Sequence, residues 1–376
     1  MLCDLDKRDT IVLKGLAISA IIFHNYFHLV TPVQPNEFRF DQTAFTSFLE
    51  VVKHPAFTIQ ALLSFFGQYG VQVFIFLTAF GLARSYWEIP SNWSTFMWSR
   101  VRKLYPMFAL ALLCWLVLAG TQVSLGNAIR QSGPAIVCTL AGISNLLPAH
   151  YRLPIGPWWF IPFILQFYAV WPLMRRLTAR FGWQGLLTLA IFSLVLTHFT
   201  SSIFARSGIN LMETPIGHMR GLCLGIAAAR YPIRIDIPLA VSALALLLLG
   251  NIYELFWPLT FLAALIVILF LYMRMRASLR NSAVLQVIGR YSMLLFLWNG
   301  IVRVPFVSLA KGPLSQLALG CISAAITFGI AFLIQGVVAL VPDPQKKNCE
   351  TGANPLVIGH PSLDSGTMPE ASELSP

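Results

Sequence analysis

The sequence predicts an all-α integral membrane protein, a polytopic bundle of about ten transmembrane helices with both termini in the cytoplasm. Of its 376 residues, 57% are hydrophobic and 11% are charged, whereas a soluble domain carries about 25% charged residues. The mean hydropathy is +0.70. Apolar runs of about twenty residues recur along most of the chain, and they are typical of spanning helices. The runs are continuously apolar, which favours helices over a closed barrel, the other structure that lipid permits.

The apolar runs define ten predicted spans. These are residues 11–30, 63–83, 104–122, 157–174, 183–200, 214–229, 235–252, 255–273, 291–309 and 314–341. A further apolar segment, 135–147, is too short to cross a bilayer unaided. Counting it as a span would also place the basic residues at 175–180 outside. We therefore interpret it as an interfacial or re-entrant piece, and the loop 31–62 as a small structured outer lid.

Charge sets the orientation of the predicted bundle. Most of the 26 Lys and Arg residues fall on inner loops when the N-terminus is cytoplasmic, as the positive-inside rule requires. The net charge of +11 is spread in small groups between apolar runs, which argues against nucleic acid as a partner. Residues 1–341 form the predicted membrane domain. Residues 342–376 are rich in Pro, Ser, Gly and Glu, which predicts a disordered cytoplasmic tail.

Two histidines, His24 and His28, lie four residues apart in the first predicted span and therefore share a helix face. His24 lies roughly 15 Å beyond Lys14 along the helix, deep in the membrane. Ionisable groups at that depth usually face a cavity or a partner, and histidine is the common general base near neutral pH. The alternative is a packing role, with the rings hydrogen-bonded to a neighbouring helix. No third ligand supports a metal site, and none is predicted.

Basic residues suggest two further candidates. Arg100 and Lys103 stand at the inner mouth of the third predicted span, where they could anchor the helix in lipid head groups or clamp the phosphates of an anionic cytosolic substrate. Arg220 lies within the sixth predicted span and should face the interior. Its role there is either structural pairing with carbonyls or substrate binding, and the sequence leaves both open.

Aromatic and acidic residues give two further indications of function. Trp158 and Trp159 open the fourth predicted span, either as part of an aromatic belt or as the wall of a sugar site. Of the 15 Asp and Glu residues, none falls in the middle of a predicted span. Proton-coupled transporters usually carry such carboxylates, so their lack weighs against that function.

Taken in order, six stretches resemble the integral-membrane acyltransferase family 3, whose members O-acetylate bacterial surface polysaccharides. They are Lys14–Ile18 followed by His24, Gly70–Leu82, the pattern Arg100-x-x-Lys103-x-x-Pro106, Trp158–Leu173, Arg220–Gly225 and Tyr291–Leu297. The resemblance covers residues 8–310. The chain departs from the family pattern at several positions. His24 follows Lys14 by one residue fewer than usual, so that Asn25 stands at the usual spacing. Gln72 replaces an acidic residue, and Asn299 falls where many members have histidine.

The resemblance implies acyl transfer from cytosolic acetyl-CoA, a co-substrate, with no bound cofactor. Arg100, Lys103 and Lys14 would bind this donor. His24 would act as the general base on a sugar hydroxyl, and Asn25 would stabilise the oxyanion. The remaining polar candidates would hold the acceptor or have structural roles: Gln72, Trp158, Trp159, Tyr168 and Arg220. The expected partners are acyl-CoA, a glycan or lipid-linked sugar, and membrane lipid.

The expected location is the bacterial cytoplasmic (inner) membrane, with several passes. Two other functions remain open at this point. One is a transporter or export component for a glycan or lipid-linked intermediate, which would need no base. The other is a scaffold that keeps the fold without activity.

Overall fold

The computed structural model describes residues 1–31, 33–88, 92–148 and 154–340. The chain divides into two compact units, Met1–Phe332 and Leu333–Pro376, and all candidate site residues lie in the first. The predicted tail, 342–376, lies outside the described residues.

The described residues form helices and no strands. The helices are α1 (Lys7–Val30), α2 (Gln42–Val52), α3 (Thr58–Phe66), α4 (Gly70–Ser85), α5 (Trp93–Val123), α6 (Leu125–Leu140), α7 (Phe160–His198), α8 (Thr200–Ser207), α9 (Met219–Arg230), α10 (Ile237–Ile252), α11 (Trp257–Leu279), α12 (Ala283–Arg290), α13 (Ser292–Val302), α14 (Val304–Val307) and α15 (Pro313–Leu340).

The predicted fold class, an all-α membrane bundle, is confirmed. By length and composition, six described helical stretches can cross a bilayer. They are Lys7–Val30, Pro55–Ser85, Trp93–Val123, Gly156–His198, Glu254–Leu279 and Pro313–Gly336. Helices α12 and α13 meet at 75° and together make a further candidate, while α10 is a shorter apolar helix. The count of ten spans and the side on which the termini lie stay predictions.

Several predicted boundaries differ from the observed ones, each for a local reason. The predicted spans 157–174 and 183–200 correspond to the two helical parts of α7 (Phe160–His198), which are separated by the left-handed backbone of Gly182 (φ 61°). Helix α6 (Leu125–Leu140) covers the first part of the segment 135–147, and it starts at Leu125 because Ser124, at φ 70°, ends α5 and caps the next helix. The interfacial or re-entrant position of this segment stays a prediction. The predicted span 214–229 is helical only from Met219, since Gly217 closes a turn on the carbonyls of Leu211 and Thr214.

Helix α1 carries the histidine pair and is fixed at its N-terminal end by a buried carboxylate. Asp6 caps the helix and forms a capping box with Asp9. Asp9 is fully buried, and its carboxylate accepts hydrogen bonds from the Tyr272 hydroxyl at 2.8 Å and from Arg276 Nε at 3.0 Å. The start of α1 is therefore tied to α11 by a charge-assisted contact.

Glycines allow α1 to approach its neighbours closely. A Cβ atom at Gly289 of α12 would overlap the carbonyl oxygen of Ile11. One at Gly70 of α4 would lie 2.6 Å from the carbonyl oxygen of Ala17. Small residues at helix interfaces are how membrane helices bring their backbones together. Both contacts therefore fix the position of α1, and with it the position of His24.

Candidate active site

His24 is buried, with 3% of its surface exposed, and its two ring nitrogens have different surroundings. Nδ1 lies 2.8 Å from the backbone oxygen of Ser64. A carbonyl oxygen can only accept a hydrogen bond, so Nδ1 carries the proton. In the neutral ring, Nε2 is then the basic nitrogen. It lies 3.7 Å from Oε2 of Glu37, a half-buried residue of the loop between α1 and α2.

The Ser64 carbonyl reaches His24 because α3 ends in a turn without a side chain. A Cβ atom at Gly67 would lie 2.7 Å from both the His24 Cβ and the carbonyl oxygen of Ala20. Any larger residue would push the end of α3 away from α1. The tautomer of His24 therefore depends on a glycine in the neighbouring element.

Glu37 is placed by a loop that is hydrogen-bonded to three parts of the bundle. Trp257 Nε1 donates to the Asn36 carbonyl at 2.8 Å, and Asn210 Nδ2 donates to the Phe38 carbonyl at 2.8 Å. The Ser64 hydroxyl donates to the Val33 carbonyl at 2.8 Å. The loop between α1 and α2 is thus structured, and it brings a carboxylate to His24 that the sequence analysis did not identify.

His28 is hydrogen-bonded to its own helix. Its Nδ1 lies 2.9 Å from the backbone oxygen of His24, and the two rings stack with centroids 5.0 Å apart. His28 is only partly buried. Its ring therefore covers one face of the His24 ring.

Asn25 points towards α13. Its Nδ2 donates to Oδ1 of Asn299 at 2.8 Å, and Asn299 in turn donates to the Leu295 carbonyl at 3.0 Å. Arg303, which the sequence analysis did not single out, donates to the backbone oxygen of Asn25. The Asn25 amide is therefore engaged in holding α1 against α13. The expected oxyanion role would require that bond to open.

A small cavity lies beside Glu37. Its volume is about 10 Å³, enough for roughly one water molecule. Four polar residues, Glu37, Gln68, Gln72 and His218, share its wall with Phe38, Val71, Trp159 and Phe261. We refer to it as the polar cavity.

Gln72 and His218 form the polar wall of this cavity. Nε2 of His218 lies 2.8 Å from the Met212 carbonyl and must donate to it. Nδ1 of His218 consequently accepts from Nε2 of Gln72 at 3.2 Å. His218, like Glu37 and Arg303, is a residue that the sequence analysis did not single out. It stands two positions before Arg220, which drew attention because its charge is rare within a span.

The two adjacent tryptophans have different surroundings. Trp158 donates from Nε1 to the Leu297 carbonyl at 3.1 Å and packs edge-on against Phe108, 5.0 Å between centroids. Trp159 lies over His218 at 5.9 Å and lines the polar cavity. Only the second of these two can therefore face an acceptor there.

The two terminal nitrogens of Arg220 donate to four oxygens of the protein. Its Nη1 donates to the hydroxyls of Ser193 at 3.0 Å and Thr197 at 3.3 Å. Its Nη2 donates to the carbonyls of Gly217 at 2.8 Å and Pro258 at 2.9 Å. These oxygens belong to α7, α11 and the turn before α9. The geometry thus favours the structural one of the two predicted roles.

A larger cavity lies between α1, α4, α5, α7 and α13. Its volume is about 220 Å³. Four polar residues, Lys14, Thr78, Tyr168 and Ser292, contribute to its wall. The other lining residues are apolar: Ile21, Val71, Phe74, Leu104, Phe160, Ile161, Ile164, Met293 and Phe296. We refer to it as the apolar cavity.

Arg100 stands near the apolar cavity inside a group of aromatic rings. Its guanidinium carbon lies 4.3 Å from the ring centre of Tyr86, 5.0 Å from that of Phe96 and 5.7 Å from that of Tyr168. Its Nε and Nη2 are buried, and no described residue accepts a hydrogen bond from them. Lys103, one turn further along α5, is exposed. The described residues contain no group of three His, Cys, Asp or Glu side chains that could hold a metal.

These features define a multi-pass membrane protein with a buried histidine, His24, whose Nε2 lies 3.7 Å from the carboxylate of a residue that lines a small cavity. The family model described as an acyltransferase domain matches residues 9–336, so the chain belongs to acyltransferase family 3. It is a membrane acyltransferase. No curated protein and no solved structure matches the chain.

Proposed function

We propose that the protein is a membrane O-acyltransferase of the bacterial inner membrane. It moves an acetyl or similar acyl group from cytosolic acyl-CoA to a hydroxyl of a cell-surface or lipid-linked glycan. The observation that carries this proposal is the position of His24. Its basic Nε2 faces Glu37, a wall residue of the polar cavity. Ile21, three positions earlier on α1, lines the apolar cavity.

The apolar cavity supports the binding of the acyl-CoA arm. Its apolar walls suit the methylene-rich pantetheine chain, and Lys14 supplies a charge within it. Arg100, beside Tyr168, would bind the phosphates of CoA through the N–H groups that no described residue uses. Exposed Lys103 would add a second positive charge.

The polar cavity supports the binding of an acceptor hydroxyl. Its volume suits one hydroxyl group and not a whole sugar ring. Glu37, Gln72 and His218 offer hydrogen bonds there, and Trp159 offers an aromatic face. The ring of a sugar would stay outside while one of its hydroxyls enters towards His24.

The reaction follows from these positions. His24 Nε2 takes the proton of the acceptor hydroxyl while the hydroxyl oxygen forms a bond to the thioester carbonyl carbon. The carbon–sulfur bond then breaks, and the CoA thiolate takes the proton from the imidazolium. The products are an O-acyl ester and free CoA. Glu37 would stabilise the imidazolium between the two steps by its negative charge.

The test compares a deletion strain with the same strain carrying the wild-type gene. We expect ester-bound acyl groups in the surface-glycan and lipid-linked fractions to fall on deletion and to return with the gene. Acyl content is expressed per sugar, so that a change in glycan amount does not register. An unchanged acyl content with an altered amount or length of glycan would contradict the proposal and indicate export instead.

The donor site gives a separate prediction. Arg100→Gln should raise the KM for acetyl-CoA roughly tenfold, because a charge-assisted hydrogen bond contributes about 1.5–3 kcal/mol. The matched control is Arg102→Gln, an exposed arginine on the same helix, which should leave the KM within about twofold. Steady-state kinetics in membranes measure both. Equal effects of the two changes would show that only the general basic charge of this face matters.

A further inference from the structure

The two cavities share one wall residue, Val71. It lies in the first turn of α4, is partly exposed, and belongs to the lining of both the apolar and the polar cavity. On the apolar side, its companions include Ile21 and Phe160, and on the polar side, Glu37 and Gln72. Val71 thus separates the place proposed for the donor from the place proposed for the acceptor.

Acyl transfer needs the two substrates to meet across this wall. The hydroxyl oxygen and the thioester carbon must approach to about 3–3.5 Å before they react. The acyl group therefore has to pass or contact Val71 as it moves from one cavity towards the other. The space that this side chain leaves limits how large the acyl group can be.

The backbone around Val71 has little freedom to move aside. The preceding Gly70 is held against the backbone of α1 at Ala17. The following Gln72 is buried and hydrogen-bonded to His218. Valine itself is β-branched and keeps one strongly preferred rotamer in a helix. The space through which an acyl group could pass between the two cavities is thus set by the size of the side chain at position 71.

We propose that Val71 determines acyl specificity and restricts the donor to short acyl groups such as acetyl. This inference rests on the proposed function. The valine isopropyl group would meet the second and later carbons of a longer acyl chain, such as butyryl. A smaller side chain at this position should therefore admit longer donors.

The test measures acyl selectivity in membranes of the deletion strain carrying each variant. Membranes supply the natural acceptor, and radiolabelled acetyl-CoA or butyryl-CoA is the donor. Alkali-labile label in the glycan and lipid-linked fractions reports transfer. We expect Val71→Ala to raise the butyryl-to-acetyl ratio of kcat/KM at least tenfold, since one methylene in an apolar site changes specificity by about 10–200-fold. Val71→Ile should lower the same ratio.

The matched control is Val73→Ala, which removes the same atoms two positions along α4. Val73 is 1% exposed and packs in the core away from both cavities. This change should lower protein abundance without altering the ratio. A ratio that is unchanged in both Val71 variants, with wild-type acetyl transfer intact, would overturn the inference. If Val71→Ala is inactive, the butyryl-to-acetyl ratio of kcat/KM in Val71→Ile tests the inference alone. Absence of transfer by the wild type would instead contradict the proposed function.

Discussion

Replacement of His24 by alanine is expected to abolish acyl transfer while leaving the protein in the membrane at normal abundance. A general base contributes about 10²–10⁴-fold to a rate, and His24 Nε2 lies 3.7 Å from Oε2 of Glu37, which lines the polar cavity. The substitution removes one hydrogen bond to the Ser64 carbonyl, which is a modest structural loss. Ester-bound acyl groups in the glycan fraction, together with immunoblots of the membrane, measure the two effects separately.

His28→Ala is the matched control for His24→Ala. It changes the same residue type one turn further along α1, and its recorded hydrogen bond goes to the backbone of its own helix. Because the two rings stack, we expect a loss of transfer of less than about tenfold. Full transfer by His24→Ala and none by His28→Ala would assign the base to His28. Full transfer by both variants would remove the pair from the mechanism.

Glu37→Gln would remove the negative charge beside His24 and keep a side chain of similar size that still forms hydrogen bonds.

Glu37 also marks a limit of what the sequence predicts. The fold class followed from apolar runs, because a chain in lipid must satisfy its backbone internally. His24 followed from its depth in such a run. Glu37, by contrast, lies in a polar loop, and its approach to His24 depends on bonds from Trp257 and Asn210. Local sequence carries no sign of contacts at that distance along the chain.

Two adjacent residues of the same type show a second limit of prediction from the sequence. Trp158 and Trp159 were indistinguishable in the sequence, yet one bonds to α13 and the other lines the polar cavity. The direction of each side chain is set by the short turn Gly156–Trp159 that precedes α7. Spacing alone does not predict the rotation of such a turn.

The structure explains two residues, Asn25 and Asn299, at which the sequence departs from the family pattern. Asn299 stands where many members have histidine, and Asn25 stands at the position where the usual spacing would place the first-span histidine. The two amides are hydrogen-bonded to each other at 2.8 Å. An amide can donate and accept at once, so the pair joins α1 to α13 without a titratable group. The sequence shows two unusual residues, and the structure shows that they contact each other.

Arg220 gives the largest expected effect on stability. Arg220→Met keeps most of the apolar volume of the side chain and removes all of its donors. Four recorded hydrogen bonds are then lost, to Ser193, Thr197, Gly217 and Pro258. Hydrogen bonds between membrane helices average about 0.6 kcal/mol and reach about 1.7 kcal/mol. We therefore expect the free energy of unfolding to fall by about 2–5 kcal/mol.

Thermal unfolding of the purified protein in detergent measures this loss, and transfer per folded molecule is measured beside it. Ser193→Ala is the matched control. It removes one of the four acceptors and the hydrogen bond from the Ser193 hydroxyl to the Ile216 carbonyl, and it should cost about 1–2 kcal/mol. If Arg220 acts by joining α7, α11 and the turn before α9, then stability falls while the KM for the acceptor in the surviving protein stays near that of the wild type. An unchanged unfolding temperature with a raised acceptor KM would instead make Arg220 a binding residue. The two predicted roles of this arginine are thereby separated by a pair of measurements on one variant.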